Sequence, residues 1–323
     1  MSLAASVIAP RRIDVHQHVI PPVWAQALGK HGGDPSGWHM PDWSPAQAVE
    51  FMDRLHIQTG ILSLTAPGVA GWHGQERRDM AARVNDYSAE LVSTQPARFG
   101  NFITLPLPDI DGTLHEIDRG FDSLAADGVV LLTNYDGEYP GDARFDPIWV
   151  ALNARKAVVF VHPTKPFGLD VIAGIPAPTL DYPFDTTRLA AQLVFNGVTR
   201  RYRDVKIILS HAGGFLPYAA QRFAELATAF RSDITDPATI LEEFRRFYFD
   251  TALSSSQYAL PSLTAFAKPG HILFGSDFPY APARIGQSFA NQLDENTTLS
   301  VQTKTAINRD NALSLFPRLT HAK

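Results

Sequence analysis

The chain has 323 residues, 45% apolar and 19% charged, which supplies ample core material and excludes wholesale disorder. Its net charge of −5 is mild, and basic residues gather no further than pairs such as Arg77-Arg78 and Arg245-Arg246, so no nucleic-acid face is expected. There is no cysteine, which excludes disulfides, thiolate metal sites and cysteine nucleophiles and leaves site chemistry to nitrogen and oxygen.

Near the start, the short apolar run at 4–9 is too brief for a secretion signal, and no 18-residue apolar stretch occurs later. A cytoplasmic protein without a membrane span is expected. The first strand is Ile13-Asp14-Val15-His16-Gln17-His18, where alternation sets His16 and His18 on one face and Val15 and Gln17 on the other. Two imidazoles held on one rigid strand suit a metal ion of the zinc type. Pro21-Pro22 is expected to end regular structure ahead of a loop through His31, Gly32, Gly33 and Trp38. Ser44-Pro45-Ala46-Gln47 then predicts a helix start, with a capping hydroxyl, proline at N1 and glutamine at N3.

Further on, apolar runs alternate with segments of helical period. The runs fall at 60–64, 99–103, 128–132, 157–161, 205–209, 247–249 and 271–274; helices are predicted at 79–94, 113–126, 147–155, 186–201 and 215–230. With the first strand this makes eight strands, several almost wholly apolar, as in a (β/α)8 TIM barrel whose strands are buried on both sides. No Gly-x-Gly-x-x-Gly follows an early strand, so a dinucleotide site is not supported. With no Pro- or Ser-rich linker, residues 1–323 read as one domain. The longest insertion, 163–184, carries Pro163, Pro166, Pro176, Pro178 and Pro183 and is expected to wander over one face.

Such barrels place active sites at the C-terminal ends of their strands. There the sequence puts His16 and His18, then His162, His211, Asp250 and Asp277. Buried polar groups need partners, and several at one rim have an obvious one in a metal ion. His39 and His73 follow strands one and two on the site side. Trp38, Trp72 and Phe278 are candidates for ring-stacking walls, while His56, His115, His271 and His321 read as structural.

These residues resemble the amidohydrolase superfamily in its aminocarboxymuconate-semialdehyde decarboxylase branch. The resemblance is carried by Asp14-Val15-His16-Gln17-His18, Val161-His162-Pro163, Ile208-Leu209-Ser210-His211-Ala212-Gly213-Gly214 and Leu273-Phe274-Gly275-Ser276-Asp277-Phe278-Pro279. Gly32-Gly33-Asp34-Pro35-Ser36-Gly37-Trp38, Asp181-Tyr182-Pro183 and Phe247-Tyr248-Phe249-Asp250-Thr251-Ala252 look more like 6-methylsalicylate decarboxylases. The resemblance implies His16, His18, His162 and Asp277 as ligands of one divalent ion, zinc or else manganese. Two-metal relatives carry a bridging lysine at the end of strand four, where this chain reads Val130-Leu131-Leu132-Thr133-Asn134. His211 is then left for acid-base work, with Asp250 to orient it. Resorcylate relatives carry a glutamate where Gly214 stands. Arg222 falls where the muconate decarboxylases hold a substrate carboxylate across a homodimer interface.

Two reactions fit this pattern. One is non-oxidative decarboxylation of an aromatic or unsaturated carboxylic acid of salicylate type, with Asp277 among the proton sources. The other is hydrolysis of a lactone or amide at the same mononuclear site.

Overall fold

The protein is described by a computed structural model over residues 10–170 and 172–321, so the run at 4–9 and the side chain of His321 lie outside the described residues. Eight parallel strands follow one another in chain order. They are β1 (Arg12–Val19), β2 (Ile57–Leu64), β3 (Phe99–Thr104), β4 (Gly128–Leu132), β5 (Val158–His162), β6 (Lys206–Leu209), β7 (Tyr248–Asp250) and β8 (Ile272–Leu273). β1 and the β8 segment close the sheet: Val15 N donates to Phe274 O at 3.0 Å, Asp277 N to His16 O at 2.8 Å, and His18 N to Phe278 O at 2.7 Å. The predicted TIM barrel is the observed fold.

Helices pack outside the strands. They are α1 (Pro22–Leu28), α2 (Pro45–Arg54), α3 (Gly74–Thr94), α4 (Ile110–Asp122), α5 (Asp146–Ala154), α6 (Ala177–Phe195), α7 (Val198–Arg201), α8 (Leu216–Phe230), α9 (Pro237–Phe244), α10 (Leu260–Phe266) and α11 (Ala283–Glu295), followed by shorter C-terminal turns. The Ser44 hydroxyl accepts from Gln47 N at 3.3 Å and starts α2 as its sequence predicts; Asp109 does the same for α4 through Gly112 N at 3.0 Å. Two expectations are corrected. Pro21-Pro22 opens a helix, because Pro22 takes the first turn, where its missing N–H costs nothing. The insertion does not wander throughout: α6 begins at Ala177 and carries Pro183 as its seventh residue, past the four free N–H groups of the helix start, so the helix continues although Pro183 brings no N–H to donate to the Thr179 carbonyl.

The barrel interior is filled by Ile13, Val15, Ile61, Phe102, Val130, Phe160, Ile208 and Leu273, all buried. Each such side chain removed from water contributes roughly 1.5–3 kcal/mol. Val15 therefore points inward, contrary to simple alternation with His16. Asp14 pairs with Gly60 and Gln17 with Leu62, so β1 spends three steps where β2 spends two. This bulge shifts the inward set from Ile13 and Val15 to His16 and His18, so an apolar floor lies beneath a polar layer. No helix among the described residues is long and apolar enough to cross a membrane.

Candidate metal centre

Above that floor, His16, His18, His162 and Asp277 each bring one potential ligand atom to a common point, all four atoms lying within 4.8 Å of one another. His16 Nε2 lies 3.2 Å from His18 Nε2, and Asp277 Oδ1 is 3.1 Å from the first and 3.0 Å from the second. The four residues are buried.

The other ring nitrogens explain which atoms face inward. His18 Nδ1 lies 3.2 Å from Ser63 O and His162 Nδ1 2.8 Å from Pro163 O. A carbonyl only accepts, so both Nδ1 atoms carry the proton and both Nε2 atoms present lone pairs to the centre. His16 Nδ1 meets Asp250 Oδ2 at 2.7 Å, the carboxylate–histidine arrangement that raises ligand basicity. Converging lone pairs repel unless a cation sits among them.

The electrostatics agree. Burial pushes the His18 imidazole down, and burial together with the neighbouring His18 and His16 pushes His162 well below its usual range, so both favour the neutral, ligating form. Burial likewise works against a charged His16, but Asp250 and Asp277 outweigh it and lift that ring to about 10. For Asp277, burial is overcome by His16, and the carboxyl is held well below the usual carboxylate range. The two carboxylates thus favour positive charge at His16, and a metal cation among the four ligand atoms supplies it at the same place. Three nitrogens and one oxygen with this charge balance fit a divalent metal site.

Backbone strain is concentrated here. Asp277 has φ +62° and His211 φ +53°, left-handed conformations that cost a non-glycine residue roughly 1–2 kcal/mol. Gly275 makes room: a β-carbon there would lie 3.0 Å from the β-carbons of both His16 and Asp250.

His211 stands beside the quartet, its Nε2 3.4 Å from Asp277 Oδ2 and its Nδ1 without a hydrogen-bond partner among the described residues. Asp250 does not orient the His211 ring. Its Oδ2 goes to His16 and its Oδ1 accepts the backbone N–H of His211 at 2.8 Å, because β7 ends beside β8 and β1 on the closing side of the barrel. Trp38 lines the cavity over the site. Phe278 is not among the lining residues: its ring stacks on Phe51 at 4.1 Å, drawn outward by the same apolar contacts that seat α2. Trp72 is buried against His31 at 4.5 Å, and neither it nor His39 nor His73 lines the cavity. Arg222 is exposed on α8, away from the cavity wall of its own chain. His271 lies at the opposite end of the barrel, stacked 4.0 Å from Tyr248.

Two tyrosines that the sequence does not mark as wall residues flank the metal ligands. Tyr182 on α6 meets His162 edge-on with ring centroids 6.3 Å apart, and Tyr280 meets His18 at 5.5 Å. Burial pushes both phenols up, with Asp34 reinforcing the effect, so both hydroxyls keep their protons. Asp185 fixes α6 above the β4 end: its Oδ2 accepts from Asn134 Nδ2 at 2.8 Å and from the Thr133 hydroxyl, and its Oδ1 from the Tyr139 hydroxyl. Only the Asp181-Tyr182-Pro183 string hinted at this wall, since burial of α6 over the barrel mouth is a tertiary event.

Residues 13–318 match the amidohydrolase family model. The chain is 42% identical over 314 residues to the 6-methylsalicylic acid decarboxylase of Penicillium expansum, covering 95% of this chain and 97% of that protein. Among solved structures, an amidohydrolase II shares 31% identity at TM-score 0.90, covering 95% of this chain and 99% of the other. A dihydroxybenzoic acid decarboxylase from Polaromonas sp. JS666, with bound manganese and the inhibitor 2-nitroresorcinol, shares 26% identity at TM-score 0.79, covering 95% and 96%. On the extent of these matches and the metal-site residues they enclose, this chain belongs to the amidohydrolase family.

Proposed function

We propose that this chain is a metal-dependent carboxy-lyase that decarboxylates aromatic acids of the 6-methylsalicylate type. The observation that carries the reading is the 42% identity, along nearly the whole of both chains, to a 6-methylsalicylic acid decarboxylase. The buried quartet with an additional histidine beside it supports the same chemistry.

His16, His18, His162 and Asp277 hold one divalent ion in this reading. Three imidazoles and a carboxylate favour zinc, and manganese is the alternative that the Polaromonas enzyme carries. When bound, such an ion acts as Lewis acid and template for the oxygens of the substrate's carboxylate and neighbouring hydroxyl. Asp250 fixes the His16 ring in its ligating tautomer. His211 is the general acid-base group, with one ring nitrogen toward Asp277 and the other without a hydrogen-bond partner among the described residues. Loss of CO₂ leaves an electron pair on the ring carbon, and the proton that fills it is drawn from solvent by His211 and handed on through Asp277, whose carboxyl is ionised until that transfer. Trp38 provides a flat wall for the ring. The homodimer reading comes from the resemblance to muconate decarboxylases, in which an arginine at the Arg222 position holds a substrate carboxylate across the interface; the exposure of Arg222 outside its own chain's cavity wall is compatible with it, and light scattering of the purified protein tests that part.

In D₂O, 6-methylsalicylate is expected to release stoichiometric CO₂ and to acquire one solvent-derived deuterium at the vacated ring carbon. Turnover confined to lactones or amides, with no CO₂ from any hydroxybenzoate, would replace decarboxylation by hydrolysis.

A further inference from the structure

The cavity extends well past the metal-binding quartet. Its volume is about 550 Å³, several times the roughly 150 Å³ that a one-ring hydroxybenzoate fills at organic packing density. Beyond His162, His211 and Asp277, the wall is made by Pro178, Phe215, Pro217, Leu253, Leu263 and Ile285, contributed by α6, the start of α8, the loop after β7, α10 and α11. Those elements follow β5 to β8, and Asp34, Trp38 and Ala66, from the connections after β1 and β2, face them across the barrel mouth. Tyr218 and Tyr258, 87% and 84% exposed, mark its open end.

The wall is selective in two ways. Among the described residues no lysine or arginine lines it, and its carboxylates are Asp34 and Asp277. A second anionic group on a substrate would find no counter-ion of its own chain there, the Arg222 of a second copy being read as the partner of the reacting carboxylate, and would meet Asp34, whose carboxyl burial already holds above its usual range. Leu253 adds an independent sign. Its backbone lies at φ +52°, where a β-carbon is penalised and glycine is favoured, yet a leucine side chain is kept on the wall.

We infer that this groove takes an apolar tail on the substrate ring, so that the preferred substrates are monocarboxylic hydroxybenzoates bearing an alkyl or alkenyl chain longer than methyl. The assignment rests on the decarboxylase reading for the acid end of the substrate. The tail end follows from the wall itself, because each methylene moved from water into an apolar groove strengthens binding by up to about fourfold.

The test is calorimetric titration of the zinc-loaded full chain carrying His211→Asn, which is expected to bind the metal and the acids with little turnover, using 2-hydroxybenzoic acids with 6-methyl, 6-propyl and 6-hexyl groups and a 6-(5-carboxypentyl) counterpart, while CO₂ is followed with the unmodified chain. The expected Kd falls by about two- to fourfold per added methylene, and the terminal carboxylate cancels most of that gain. A Kd that is flat along the series, or lowest for methyl, overturns the inference. Ile285→Trp and Leu263→Trp fill the groove from different helices and are expected to erase the hexyl advantage; its full retention in a folded variant overturns the placement. CO₂ measured on the same compounds separates the two readings. Tail-dependent binding without CO₂ supports the groove and overturns decarboxylation, whereas CO₂ from the methyl compound without tail-dependent binding does the reverse.

Discussion

Asp250 grips two functional histidines with its two oxygens: Oδ2 meets His16 Nδ1 at 2.7 Å, and Oδ1 accepts the His211 backbone N–H at 2.8 Å. One buried carboxylate therefore sets the tautomer of a ligand and the backbone position of the histidine proposed as the acid-base group. Asp250→Ala is expected to weaken metal binding by about 10- to 100-fold. Asp250→Asn, which can still accept from Nδ1–H, should lose less. Competition against a calibrated chelator measures both, and unchanged affinity in the alanine variant would disconnect Asp250 from the ion.

The metal ligands make a stoichiometric prediction. One equivalent of divalent metal is expected per chain, with His162→Ala losing firm binding because three remaining donors leave the site open. Elemental analysis of dialysed protein checks this. Two equivalents in the unmodified protein, or full content in the variant, would contradict the ligand set.

His211 is expected to behave differently. His211→Asn should retain the metal yet lose about 10²- to 10⁴-fold in kcat, since the ring stands beside the quartet rather than within it. If metal and activity disappear together, the histidine is a ligand.

Gly214 tests the packing behind the site. It has φ +65°, and a β-carbon there would lie 2.0 Å from Pro183 O on α6. Gly214→Ala must move α6, the helix that carries Tyr182, and is expected to cost at least about 2 kcal/mol. A thermal midpoint within a degree of the parent would show that the helix yields freely. The same contact explains why a larger side chain has no room three residues after His211.

Much of this was legible along the chain. Apolar runs alternating with amphipathic segments express local periodicity, and a barrel of eight such units places every strand terminus at one rim. That is why His16, His18, His162, His211 and Asp277 could be picked out as polar residues ending apolar strands. Ser44 and Gln47 announced their helix for the same local reason.

What only the tertiary structure decided is which groups face one another across that rim. The bulge in β1 turns both Val15 and His16 inward, and it is visible only in the pairing of β1 with β2. Asp250 reaches the His16 ring because barrel closure brings the β7 end beside β1. Phe278 leaves the cavity to stack on Phe51, and Tyr182 enters it on a helix that Asp185 pins above β4. Side-chain period and turn chemistry are properties of neighbouring residues, so the sequence alone determined the elements and the rim; partner choice depends on contacts tens to hundreds of residues apart, which exist only once the barrel has closed.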